Sequence, residues 1–134
     1  MNPYTACGFW PNRGEFVASV VDTEGRLHHR PFAPDDDLDY WSYLDDLESQ
    51  HGLDIQLVLP EPFLRGHPLA LIARARRMTL FAAPTTLAEA IARVAYARSS
   101  PRRLATVLAR LPNSRFQGHL RLLPRRDPKQ MLLL

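Results

Sequence analysis

The chain has 134 residues, 46% hydrophobic and 23% charged, a composition that suits one folded domain and excludes a disordered chain or a multidomain enzyme. No apolar run approaches the ~20 residues of a membrane-spanning helix, and Met1-Asn2-Pro3-Tyr4 lacks the basic start of a secretion signal, so the expectation is a cytoplasmic protein without membrane contact. The net charge of +3 conceals a division along the chain: residues 1–62 carry three arginines against twelve carboxylates, and residues 63–134 carry thirteen arginines and one lysine against Glu89 and Asp127.

Tyr4 to Phe9 is short, apolar and bounded by Pro3 and Trp10-Pro11-Asn12, which predicts a first strand ending in a turn. Cys7, the single cysteine, sits inside it as a small buried hydrophobe and excludes an intrachain disulfide. Glu15 to Asp22 is a second strand, apolar on both faces, and Thr23-Glu24-Gly25 turns the chain into a third over Arg26 to Phe32. Asp35, Asp36 and Asp37 suit a helix N-terminus, after which Leu38, Trp41, Leu44 and Leu47 mark one face to about Gly52.

Asp54 to Pro60 is a fourth strand, and Pro68 opens a helix to about Met78. Thr79 to Ala83 is a fifth strand. The next helix shows Thr86 and Glu89 in capping-box spacing and Leu87, Ile91 and Val94 as its stripe. Ser100-Pro101 starts a last helix with Leu104, Val107, Leu108 and Leu111 on one face, stopped at Pro112-Asn113. The domain is expected over residues 1–113, with 114–134 a basic C-terminal extension that either adds one strand or remains a tail. Its end, Met131-Leu132-Leu133-Leu134, is apolar enough to suggest a homodimer contact.

The predicted fold class is α/β, a mixed five-stranded sheet in which three antiparallel strands precede two parallel ones, flanked by helices. This order, with the Gly8-Phe9-Trp10-Pro11 turn and Glu61 directly after the fourth strand, resembles the ribonuclease H-like superfamily over about residues 4–98. The resemblance extends to Holliday-junction resolvases and transposase catalytic domains, and implies two-metal phosphodiester chemistry by carboxylates of the first strand, the fourth strand and a late helix. The first carboxylate would fall at Trp10, and no Asp or Glu occurs between Met1 and Asn12. Glu61 fits the second position, Glu89 is the one late-helix candidate, and Asp22 is the nearest stand-in for the missing acid. Magnesium is implied only if these three form a nuclease site. The reading is therefore a degenerate member that has lost its chemistry, with no cofactor and no metal site, in a setting of mobile elements or recombination.

Other constellations carry less. His28 and His29 are adjacent on a strand and point to opposite faces, so they cannot chelate one ion. No Gly-x-Ser-x-Gly elbow and no phosphate-binding Gly-x-x-x-x-Gly-Lys loop is present. Arg74, Arg76 and Arg77 end a helix, where the dipole favours cations. Arg98, Arg102, Arg103, Arg115, Arg121, Arg125, Arg126 and Lys129 have no such local reason, and read either as a surface for nucleic acid or a nucleoprotein partner or as a solvated face that pairs with the chain's own acidic half. Tyr96 and Phe116 are the aromatics interleaved with them, few for base stacking. The alternatives are a divergent metal-dependent nuclease and a protein module whose acidic and basic halves pair between copies.

Overall fold

A computed structural model describes residues 2–13, 15–32, 37–61 and 67–123. Its strands are β1 (Ala6–Asn12), β2 (Glu15–Val21), β3 (Leu27–Phe32), β4 (Gln56–Pro60), β5 (Thr79–Ala83) and β6 (Arg121–Leu123). Among the described residues the helices are α1 (Asp37–His51), α2 (Pro68–Ala75), α3 (Thr85–Tyr96) and α4 (Pro101–Arg110), and the short 3-10 turns Leu111–Asn113 and Gln117–His119 follow. The strands form one mixed sheet in the order β3-β2-β1-β4-β5-β6. The first three pair antiparallel, β4 and β5 run parallel to β1, and β6 returns antiparallel to β5.

The sheet has six strands where the sequence predicts five. Residues 121–123 continue it because Leu123 packs on the first core cluster opposite Leu80, while Phe116 and Leu120 anchor the preceding segment on the second. The last strand thus lies beyond residue 113, the expected domain boundary. The expected turn at Trp10-Pro11-Asn12 is also replaced by strand: β1 stays paired with β2 to Asn12 opposite Glu15, and the reversal falls at Arg13, with φ 54°. Pro11 is tolerated because β4 pairs with β1 only from Ala6 to Gly8, leaving that edge of residue 11 without a ladder bond to break.

Alternation along the strands sorts the core into two layers. Cys7, Phe9, Leu57, Leu59, Leu80 and Ala82 face α1 and α2. There Leu44 and Leu47 of α1 are buried as predicted, and Tyr40 is buried in place of Trp41. Trp41 is instead exposed and carries the Arg76 guanidinium 4.6 Å from its ring centre. Arg76 also reaches Asp45 at 3.1 Å and Glu48 at 2.9 Å, so it ties α2 to the acidic α1 rather than merely complementing a helix end. His67 supplies the α2 N-cap, its Nδ1 accepting from the Leu69 N–H, with its ring edge-on to Phe16.

The opposite layer holds α3 and α4. Leu104, Val107, Leu108 and Leu111 are buried as predicted, but α3 buries Ala88 and Ala92, and Val94 is exposed. The capping box is absent: Pro84 is the N-cap and no side chain caps the helix. A proline carbonyl accepts from the N–H groups of Leu87 and Ala88 instead.

Helix α4 lies on β1 and β2 at Gly8. A Cβ there would stand 2.6 Å from the Ala109 amide nitrogen, 2.7 Å from Leu108 Cβ and closer still to the Ala105 carbonyl. Because two of these neighbours are backbone, Gly8→Ala must lift the helix. The expected loss is about 3 kcal/mol, read as a lower urea midpoint at unchanged slope; an unchanged midpoint would show that α4 does not depend on this approach.

Candidate functional site

The three carboxylates of the nuclease alternative are not gathered. Glu61 follows β4 on the face of Leu57 and Leu59, and pairs with Arg121 at 3.1 Å; both side chains are about half exposed. Its backbone N–H donates to the Ala83 carbonyl and its own carbonyl accepts from Thr85 Oγ1. Trp10 packs with the opposite layer against α3 and α4.

Asp22 lies at the other end of the sheet. Val21 pairs with Ala6 and Ala6 with Gln56, so Asp22 sits beside the start of β4 and Glu61 beyond its end, about 13 Å or more apart along the strands. The register thus keeps Asp22 away from the end of the sheet that carries Glu61. Its carboxylate closes the β2–β3 turn, accepting from the N–H groups of Arg26 at 2.8 Å and Glu24 at 3.0 Å, with His28 Nε2 at 3.2 Å. The Arg26 N–H, above all, holds its pKa below the ordinary 3.8. Glu89 lies in α3, half-buried. Among the described residues no group of three or more His, Cys, Asp or Glu side chains is arranged so that it could hold a metal ion.

The arginines divide more informatively. Arg76 and Arg121 are matched by carboxylates of the acidic half. Arg93, Arg98, Arg102, Arg103, Arg110 and Arg115 are exposed, and among the described residues none has a carboxylate within ion-pair distance. Between Thr85 and Leu123 the only acid is Glu89, whereas α1 contains five carboxylates and neither lysine nor arginine. Since α1 and the α3–α4 pair cover opposite faces of the sheet, the fold turns a charge gradient along the chain into one across the molecule. Arg125, Arg126, Lys129 and the apolar Met131 to Leu134 lie outside the described residues.

Arg102 and Arg103 occupy the first turn of α4, where the dipole disfavours cations and no acid is present. Ser100 caps the helix by accepting from the Arg103 N–H at 3.2 Å. The Arg103 guanidinium donates to the Arg98 carbonyl at 2.9 Å and lies 5.4 Å from the Tyr96 ring centre. Arg115 stands 4.9 Å from the ring centre of Phe116.

Beneath this turn a polar chain crosses the α4–sheet interface. Thr106 Oγ1 is 2.9 Å from the Arg102 carbonyl and 3.2 Å from Ser19 Oγ, which is 3.1 Å from His29 Nδ1. Ser19 and Thr106 are buried, so each hydroxyl needs its partner. His28, one residue away, points to the other face towards Asp22 and His51, as strand alternation requires. No family model matches this chain, and no curated protein does so significantly.

Partial burial of the His29 ring and the nearby Arg102 charge both push its pKa below the ordinary 6.5. The unfolded chain therefore binds more protons, and this contribution to stability is present above pH 6.5 and lost as pH falls towards the lowered value. In denaturant titrations, His29→Gln is expected to flatten that part of the stability profile. A variant profile as steep as the parent's would place the titration elsewhere.

Proposed function

We propose that the chain is a non-catalytic nucleic-acid-binding domain on a ribonuclease H-like framework, holding phosphates on its α3–α4 face. The carrying observation is the set of six exposed arginines on α3, the α3–α4 link, α4 and the segment after it, unmatched by described carboxylates while Arg76 and Arg121 are matched. A face that served only solvation or internal pairing has no reason to place two of them against the α4 dipole.

The framework reading is supported by strand order and direction. Antiparallel β3-β2-β1 continued by parallel β4 and β5 is the order the resemblance implies, with β6 as an addition. The non-catalytic reading is supported by the separation of Asp22 from Glu61, the Glu61–Arg121 pair and Trp10 in the place of the first acid. A nucleoprotein partner would meet the same face through its exposed phosphates.

Anisotropy titration of labelled oligonucleotides over a salt series tests this. The log of affinity is expected to fall linearly with log salt, by about 0.7–0.9 for each phosphate neutralised. Replacing Arg102 and Arg103 by glutamine reduces that slope by about one for each phosphate that is no longer held, and the oligonucleotide is recovered uncut with or without Mg²⁺. Metal-dependent cleavage abolished by Glu61→Gln would overturn the non-catalytic reading. Salt-sensitive self-association without any oligonucleotide binding would replace it with pairing of acidic and basic faces between copies.

A further inference from the structure

The two aromatic side chains among the second-half arginines are twenty residues apart in sequence, and the fold places both on one cleft. Ile91, Ala95, Tyr96, Val107, Leu111 and Phe116 line an apolar hollow of about 180 Å³ between α3, α4 and the segment after α4. It is smaller than the ~300–1,000 Å³ of sites that enclose drug-sized ligands, a scale that suits one planar ring. Arg110 is part of its lining, and the guanidinium groups of Arg103 and Arg115 rest on the rings of Tyr96 and Phe116.

Resting on the nucleic-acid reading above, we infer that this cleft receives an unpaired base, making the preferred ligand single-stranded. An apolar floor with aromatic walls offers stacking to any base without reading its edge. The arginine rim supplies charge complementarity to the phosphates on either side of that base. Arg103 and Arg115 lie beside the rings without lining the hollow, so the hollow is open to a base while their charges stay next to it. A duplex keeps its bases stacked inward and offers the cleft nothing, although its phosphates still meet the arginines.

The test compares three ligands of about a dozen nucleotides: oligothymidylate, an abasic strand with the same number of phosphates, and a duplex. Binding is measured for the parent protein and for Tyr96→Leu/Phe116→Leu, which keeps apolar volume but removes both rings; its thermal unfolding is checked against the parent, with Phe116→Leu alone as the second variant. Oligothymidylate is expected to bind about ten-fold or more tighter than the abasic strand. That preference collapses in the double variant and is reduced in the single one, with abasic and duplex affinity nearly unchanged. Equal parent affinity for thymidylate and abasic strands overturns base insertion while leaving the phosphate-binding face intact. Failure of all three ligands to bind at low salt overturns both.

Discussion

Helix α4 can lie on β1 only because position 8 has no side chain. With Gly8 in place, Ala105 and Ala109 come down onto the strand and Thr106 reaches Ser19. This seating fixes the rotation of α4. Leu104, Val107, Leu108 and Leu111 turn into the second core, so Arg102, Arg103 and Arg110 are left on the outside. The positive face therefore depends on a steric allowance in the first strand, about a hundred residues earlier in the sequence.

From that constraint the charge geometry follows. The sheet separates two layers, and the acidic helix belongs to one while the arginine-rich helices belong to the other. Among the described residues, Arg76 bridges α2 to α1 within the first layer and Arg121 in the added strand reaches Glu61, and neither pair extends to α3 or α4. The arginines farther along α3 and α4 have the thickness of the sheet between them and the acids of α1. At physiological salt, screening over roughly 8 Å leaves little coupling between such groups, and their field is directed outward. Stacking of Arg103 and Arg115 on aromatic rings keeps two of these charges beside residues that line the apolar cleft.

Much of the framework was legible in sequence because its signals are local. Thr79–Ala83 is a strand at its predicted limits, α4 begins at Pro101 after the Ser100 cap, and its buried stripe is the predicted one. What was not legible required partners distant in sequence. The extension of β1 through Pro11 depends on where β4 stops pairing, and β6 depends on pockets for Leu123, Leu120 and Phe116. Small residues misled the helix stripes: Ala88 and Ala92 face the core while the more hydrophobic Val94 faces water, since α3 meets α4 closely. The carboxylates were legible as residue types but not as a site, for strand register alone separates Asp22 from Glu61. Tyr96 and Phe116 looked sparse in sequence because their proximity is tertiary.

On the proposed function, nucleic acid meets the face built by α3 and α4 and leaves the acidic face untouched. Amide-resolved NMR of the protein titrated with a short oligonucleotide tests it most directly. Shift changes are expected at residues 96–103 and 110–116, saturating together, with α1 unmoved. Changes centred on residues 37–51, or spread evenly over both faces, would contradict it.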